Sequence, residues 1–145
     1  MRLPVEPEPA ALSEMPTGPR RTAEHLRILV VEDNRDAANS LRMLLELHSY
    51  EVTVAYSGPD GVKAAQQWQP DVVLCDIGLP GLDGYGVARR LRQNPSTAKA
   101  RLIAVTGYGA EDDRRRSQEV GFDAHLVKPV DPAALQGVLL QEASA

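Results

Sequence analysis

Two rhythms of apolar positions alternate along the chain. Ile28-Leu29-Val30-Val31 is a continuous apolar run, and Ala37, Leu41, Leu44 and Leu45 follow at the spacing of one helix face. Val52, Val54 and Tyr56 alternate with Glu51, Thr53 and Ala55, as in a half-buried edge strand; Ser57 then caps a short helix carrying Val62, Ala65 and Trp68, which Pro70 ends. The alternation returns as Val72 to Cys75 with a helix around 84 to 92, and as Leu102 to Val105 with a polar helix around 110 to 120. It closes with Ala124 to Val127 and a last helix capped by Asp131-Pro132. Continuous apolar strands separated by helices imply right-handed crossovers and a parallel sheet covered on both faces. The prediction is a doubly wound α/β domain with a five-stranded parallel sheet.

Before residue 26 neither rhythm is present. Prolines at 4, 7, 9, 16 and 19 fall among glutamates and small residues, so 1 to 25 reads as a disordered or linker segment and 26 to 143 as the domain. With 145 residues, 43% hydrophobic and 25% charged, the chain has the composition of one globular domain with one core. A net charge of -4 and an isoelectric point near 5.4 provide no basic field for phosphate backbones. Direct nucleic-acid binding is therefore disfavoured, and protein partners are expected. The lone Cys75 excludes an internal disulfide, and no apolar run approaches a membrane span or follows a basic start. The expected location is cytoplasmic, without membrane contact by this segment.

In doubly wound sheets ligands bind beyond the carboxyl ends of the strands. Those ends carry Glu32-Asp33, Asp76, Thr106 and Lys128-Pro129. Three carboxylates so placed repel one another and favour a hard divalent cation such as Mg²⁺. Lys128 supplies a compact cation opposite, and Thr106 a hydroxyl donor. A metal, a cation and a hydroxyl around one carboxylate match the needs of phosphoryl transfer, which is catalysed by positioning and charge neutralisation. Asp76 is the candidate nucleophile.

Other residues read as structural. Asp83 before Gly84 is most simply a helix N-cap. Cys75 reads as a small buried hydrophobe beside the site. Arg114-Arg115-Arg116 after Glu111-Asp112-Asp113 reads as a solvated helix face, acidic first and basic later as the helix dipole prefers. Tyr85 and Trp68 read as packing aromatics.

From about Arg27 to Leu140 the chain resembles a response-regulator receiver domain of two-component signalling. Glu32-Asp33, the stretch Asp76-Ile77-Gly78-Leu79-Pro80-Gly81-Leu82-Asp83-Gly84, Val105-Thr106-Gly107 and Lys128-Pro129 match that family's motifs in order and spacing. The resemblance implies a flavodoxin-like (βα)5 fold with strand order 2-1-3-4-5. It implies that Asp76 accepts a phosphoryl group from a phosphohistidine on a histidine kinase or histidine phosphotransfer domain. Mg²⁺ would be held by Asp33, Asp76 and the Gly78 carbonyl, with Glu32 acting through water. It further implies a cis Lys128-Pro129 bond and a switch made by Thr106 and His125. Gly78 and Tyr108, two residues after the acceptor and two after the hydroxyl residue, would tune the lifetime of the acyl phosphate.

Two positions depart from the family pattern. His125 stands where tyrosine or phenylalanine is common, which adds a titratable edge, and Glu32 replaces the commoner aspartate with a longer arm. A hydrolase using an aspartyl-phosphate is set aside because Gly78 stands where that class has a second aspartate. The remaining alternative is a receiver-shaped interaction module that is not phosphorylated. With one helix after Asp131-Pro132, no DNA-binding effector is expected to follow. The expectation is a stand-alone receiver or one from the end of a hybrid histidine kinase, not itself an enzyme in the ordinary sense.

Overall fold

The computed structural model describes residues 26–107 and 111–144, so the 1–25 lead-in and Tyr108 lie outside the described residues. Five strands alternate with five helices: β1 Arg27–Val31, α1 Arg35–Leu47, β2 Glu51–Ala55, α2 Gly58–Trp68, β3 Val72–Asp76, α3 Gly84–Gln93, β4 Arg101–Thr106, α4 Glu111–Val120, β5 Ala124–Val127 and α5 Pro132–Ser144. All pairings are parallel, with Ile28 opposite Val52 and Val72, Cys75 opposite Ala104, and Thr106 opposite Val127. The sheet order is β2-β1-β3-β4-β5, the order that the resemblance implied.

The strand period of two sorts the core into two layers. Leu29, Val31, Val73, Cys75, Leu102 and Ala104 face α2 and α3, meeting Ala65, Val87, Ala88 and Leu91. Ile28, Val30, Val72, Leu74, Ile103 and Val105 face the other way, meeting Leu41 and Leu45 of α1 and Leu135 and Leu139 of α5. Each large side chain fully buried in these layers contributes about 1.5–3 kcal/mol of transfer free energy. The edge strand β2 departs from the clean alternation predicted for it. Val52, Thr53 and Val54 are all half-buried and Ala55 is buried, because α2 partly covers the face read as solvent-facing.

Local signals start the helices where the strands stop. Asn34 caps α1 by accepting from the Ala37 N–H at 3.0 Å, Ser57 caps α2 through Asp60 N–H at 3.2 Å, and Asp83 caps α3 through Gly86 N–H at 2.9 Å. Asp131 accepts from the Ala134 N–H at 3.0 Å ahead of α5. With a cap at Asn34, β1 cannot run beyond Val31, and Glu32-Asp33 is left at its tip.

The opposite edge, where β4 and β5 begin, is tied by Arg92 of α3. Its guanidinium donates to Gly121 O at 3.0 and 2.6 Å, to Ala98 O at 2.7 Å, to Ala100 O at 2.6 Å and to Asp123 Oδ2 at 2.8 Å. Elsewhere, Arg116 of α4 lies 4.3 Å from the centre of the buried Tyr85 ring, so the basic run of α4 is not wholly a free solvated face. Trp68 is half-buried beneath Arg27, at 5.3 Å, as a packing aromatic. Among the described residues no helix is long and apolar enough to cross a membrane.

Candidate functional site

Glu32 follows β1 and is 2% exposed. Its Oε2 accepts the Asn34 N–H at 3.1 Å, and its Oε1 lies 2.7 Å from Lys128 Nζ as an ion pair. Asp33, beside it, is exposed. Asp76 is the last residue of β3 and is buried; its Oδ1 accepts from the Gly78 N–H at 2.9 Å and its Oδ2 from Lys128 Nζ at 3.2 Å. One carboxylate oxygen from each of Glu32, Asp33 and Asp76 lies within 4.8 Å of the others.

Neighbouring strands bring in the remaining groups. Asp76 pairs with Val105 in register, so Thr106, the buried last residue of β4, sits one step further along the same edge. The Lys128 N–H donates to Thr106 O at 2.7 Å, which carries the lysine to the mouth of the site, and the Lys128-Pro129 bond is cis. Gly78 is exposed, and a Cβ placed on it would stand 3.7 Å from Asp76 Oδ1.

Electrostatics follow from this crowding. Burial pushes the Glu32 carboxyl above the ordinary glutamate range, and the charge of Asp76 adds to the rise, against the opposing pull of Lys128 and the Asn34 N–H. For Lys128 burial acts to lower the value, yet the Glu32 and Asp76 carboxylates outweigh it and the ammonium is held more firmly than usual. Cys75 is fully buried and its thiol is pushed far up by desolvation, so it is inert as a nucleophile. Three carboxylates thus face one ammonium. The all-oxygen donor set with excess negative charge fits a hard divalent cation such as Mg²⁺ and is unsuited to soft metals.

The structure brings together Glu32, Asp33, Asp76, Thr106, Lys128 and Gly78. It leaves His125 further from the acids, half-buried on β5 opposite Ala104 and bordering a cavity of about 170 Å³ shared with Ser117 and Phe122. Tyr108 falls outside the described residues. Asp83 is the N-cap that its position suggested. Sequence reasoning did not anticipate the stack of Arg35 on Tyr56, 4.2 Å from the ring centre. A basic residue in the first turn opposes the helix dipole, and that mismatch was the available signal.

Comparison with known proteins gives the class. The family model for the response regulator receiver domain matches residues 28–140, and the chain belongs to that family. It is 39% identical over 109 residues to protein PilH of Pseudomonas aeruginosa, covering 75% of this chain and 90% of that one. It is 35% identical to the response regulator PleD of Caulobacter vibrioides over 75% of this chain and 24% of PleD. Among solved structures it resembles the receiver domain of sensor histidine kinase PA1611 from Pseudomonas aeruginosa, whose active-site cleft coordinates a magnesium ion. That likeness has a TM-score of 0.77 and 30% identity, covering 83% of this chain and 99% of the other.

Proposed function

We propose that this receiver domain is a magnesium-dependent phosphoacceptor, in which Asp76 takes a phosphoryl group from a phosphohistidine on a histidine kinase or histidine phosphotransfer domain. What carries the reading is the convergence of Glu32, Asp33 and Asp76 oxygens within 4.8 Å, with Lys128 Nζ 3.2 Å from Asp76 Oδ2. Asp33, Asp76 and the Gly78 carbonyl would hold Mg²⁺, with Glu32 acting through water, and the ion when bound neutralises charge on the phosphoryl oxygens. An Asp76 carboxylate oxygen attacks phosphorus as the P–N bond to the donor imidazole breaks, and the imidazole takes a proton from solvent. Lys128 neutralises a second oxygen of the transferring group, and the Thr106 hydroxyl donates to a third.

The donor needs a seat beside the acceptor. An apolar groove of about 480 Å³ runs from Lys128 past Pro129 and Val130 to Ala37, Leu41 and Leu44 of α1, and it is continuous with the site. A donor that presents an apolar surface beside its phosphohistidine would lie against it.

Incubation with a small phosphodonor and Mg²⁺ tests the reading. The wild-type chain should gain the mass of one phosphoryl group on the Asp76 peptide, and Asp76→Asn should gain none while keeping its fold. Wild-type labelling of that variant at the same peptide, or a wild type that stays unlabelled, would count against a phosphoacceptor and, in the second case, favour a silent interaction module.

A further inference from the structure

The acceptor loop, residues 77–83, leaves β3 directly after Asp76 and must return to start α3 almost on top of the strand it left. It folds over the exposed Pro80-Gly81 turn, with Gly81 at φ +75°, between the buried Leu79 and the half-buried Leu82. Close approaches hold it there. At Gly84 a Cβ would stand 2.6 Å from both Asp76 O and Ile77 Cα, and the Gly84 N–H donates to Ile77 O at 3.1 Å. At Gly86 a Cβ would overlap the Leu82 Cδ1.

The third approach comes from outside the loop. Gly58 is the first residue of α2, and a Cβ there would overlap the Leu82 carbonyl oxygen and stand 2.9 Å from Leu82 Cβ. Gly58 is not among the residues with positive φ, so its backbone does not call for glycine. Nor does its place in the helix, since the first helical position suits proline and most other residues. The missing side chain is explained by the seat it leaves for Leu82.

We propose that Gly58 and Leu82 form a latch that sets the position of the acceptor loop, and so tunes metal affinity and phosphoryl acceptance at Asp76 from outside the site. The inference rests on the reading of Asp76 as a metal-dependent phosphoacceptor. Both are positioning residues. Gly78, within the loop, holds Asp76 Oδ1 through its N–H; its own carbonyl would be a ligand of the cation, so a shift of the loop would move the carboxylate and that ligand together. In Gly58→Ala the new methyl meets a backbone oxygen, which cannot rotate away, and the loop must rise by about 1 Å, a displacement that can cost on the order of 100-fold at a reacting centre. Gly86→Ala meets only the end of the Leu82 side chain, which can turn aside.

The test uses the full chain and two readouts, calorimetric Mg²⁺ titration and amide exchange of Gly78 and Gly84 in metal-free buffer. Gly58→Ala should raise the Mg²⁺ Kd and speed both amides by about tenfold or more, with Gly86→Ala milder, by about threefold. Arg92→Leu, which cuts contacts at the opposite edge of the sheet, should lower the unfolding midpoint while leaving Kd within about twofold. Should Gly58→Ala not fold, Leu82→Gly carries the same expectation, because it removes the Cβ that lies against Gly58 and loosens the loop backbone there. Wild-type Kd and exchange in the latch variant would overturn the proposal. An equal loss of affinity in Arg92→Leu would do so too, since stability rather than loop position would then govern the site. A wild type that binds no Mg²⁺ would overturn the metal reading alone, and the amides would still decide the latch.

Discussion

Lys128 divides one ammonium between two carboxylates, Glu32 at 2.7 Å and Asp76 at 3.2 Å. Because its pKa is raised on folding, the stability it contributes is complete below the ordinary lysine value of 10.5 and is lost as pH rises through the folded one. Glu32 is raised as well, so its ionised form carries a cost in the folded state that appears above the ordinary glutamate value of 4.5 and disappears in acid. Lys128→Met removes the partner that holds Glu32 down. The variant should lose about 2 kcal/mol at pH 8 in metal-free buffer, less than a fully buried pair because the lysine side chain is 32% exposed. Its deficit should shrink at pH 5, as measured by urea unfolding; a deficit that grows in acid would contradict the assignment. Gly78 makes a second residue-scale prediction. A Cβ fits there at ordinary van der Waals distance from Asp76, and an asparagine's amide can orient an attacking water. Gly78→Asn should speed decay of the phosphorylated chain by roughly tenfold, followed by mass spectrometry, and slower decay would argue against a lifetime role.

At the scale of elements, the sheet is held at its two edges by different means. The edge with the carboxyl ends is crowded with like charge, whereas the opposite edge is tied by Arg92, whose guanidinium gathers the carbonyls of Ala98, Ala100 and Gly121 and the Asp123 carboxylate. Charge-assisted bonds of this kind contribute about 1.5–3 kcal/mol each, and water reaching the half-buried Ala98 and Gly121 recovers part of that in a variant. Arg92→Leu should therefore cost about 3 kcal/mol in a urea unfolding experiment. An unchanged midpoint would show that α3 and the turn before β5 hold without the clamp.

For the whole molecule, a cation held by Glu32, Asp33 and Asp76 would link metal binding to folding. An ion bound by the folded state alone adds RT ln(1 + [L]/Kd), about 2.7 kcal/mol at a hundred times Kd. The melting temperature should rise on the order of 10 °C with saturating Mg²⁺. Asp33 is exposed, and its removal leaves the core intact. Asp33→Ala should erase the shift without lowering the metal-free melting point, and a shift of wild-type size in that variant would remove Asp33 from the metal set.

The sequence by itself determined the elements and what stands at their tips. Strand period, helix spacing and caps such as Asn34, Ser57 and Asp83 act over a few residues, so they are legible without a fold. Because each strand stops at its cap or turn, Glu32-Asp33, Asp76, Thr106 and Lys128 had to lie along one edge once the sheet was parallel. The strand order came from resemblance, since local pattern does not rank non-sequential neighbours. Tertiary structure alone decided which oxygens share Lys128, how Arg35 stacks on Tyr56 and which carbonyls Arg92 collects. It also decided that Gly58 leaves room for the Leu82 carbonyl. Those contacts join residues far apart in the chain, and their distances depend on how high a loop rises over the sheet, which no local period encodes.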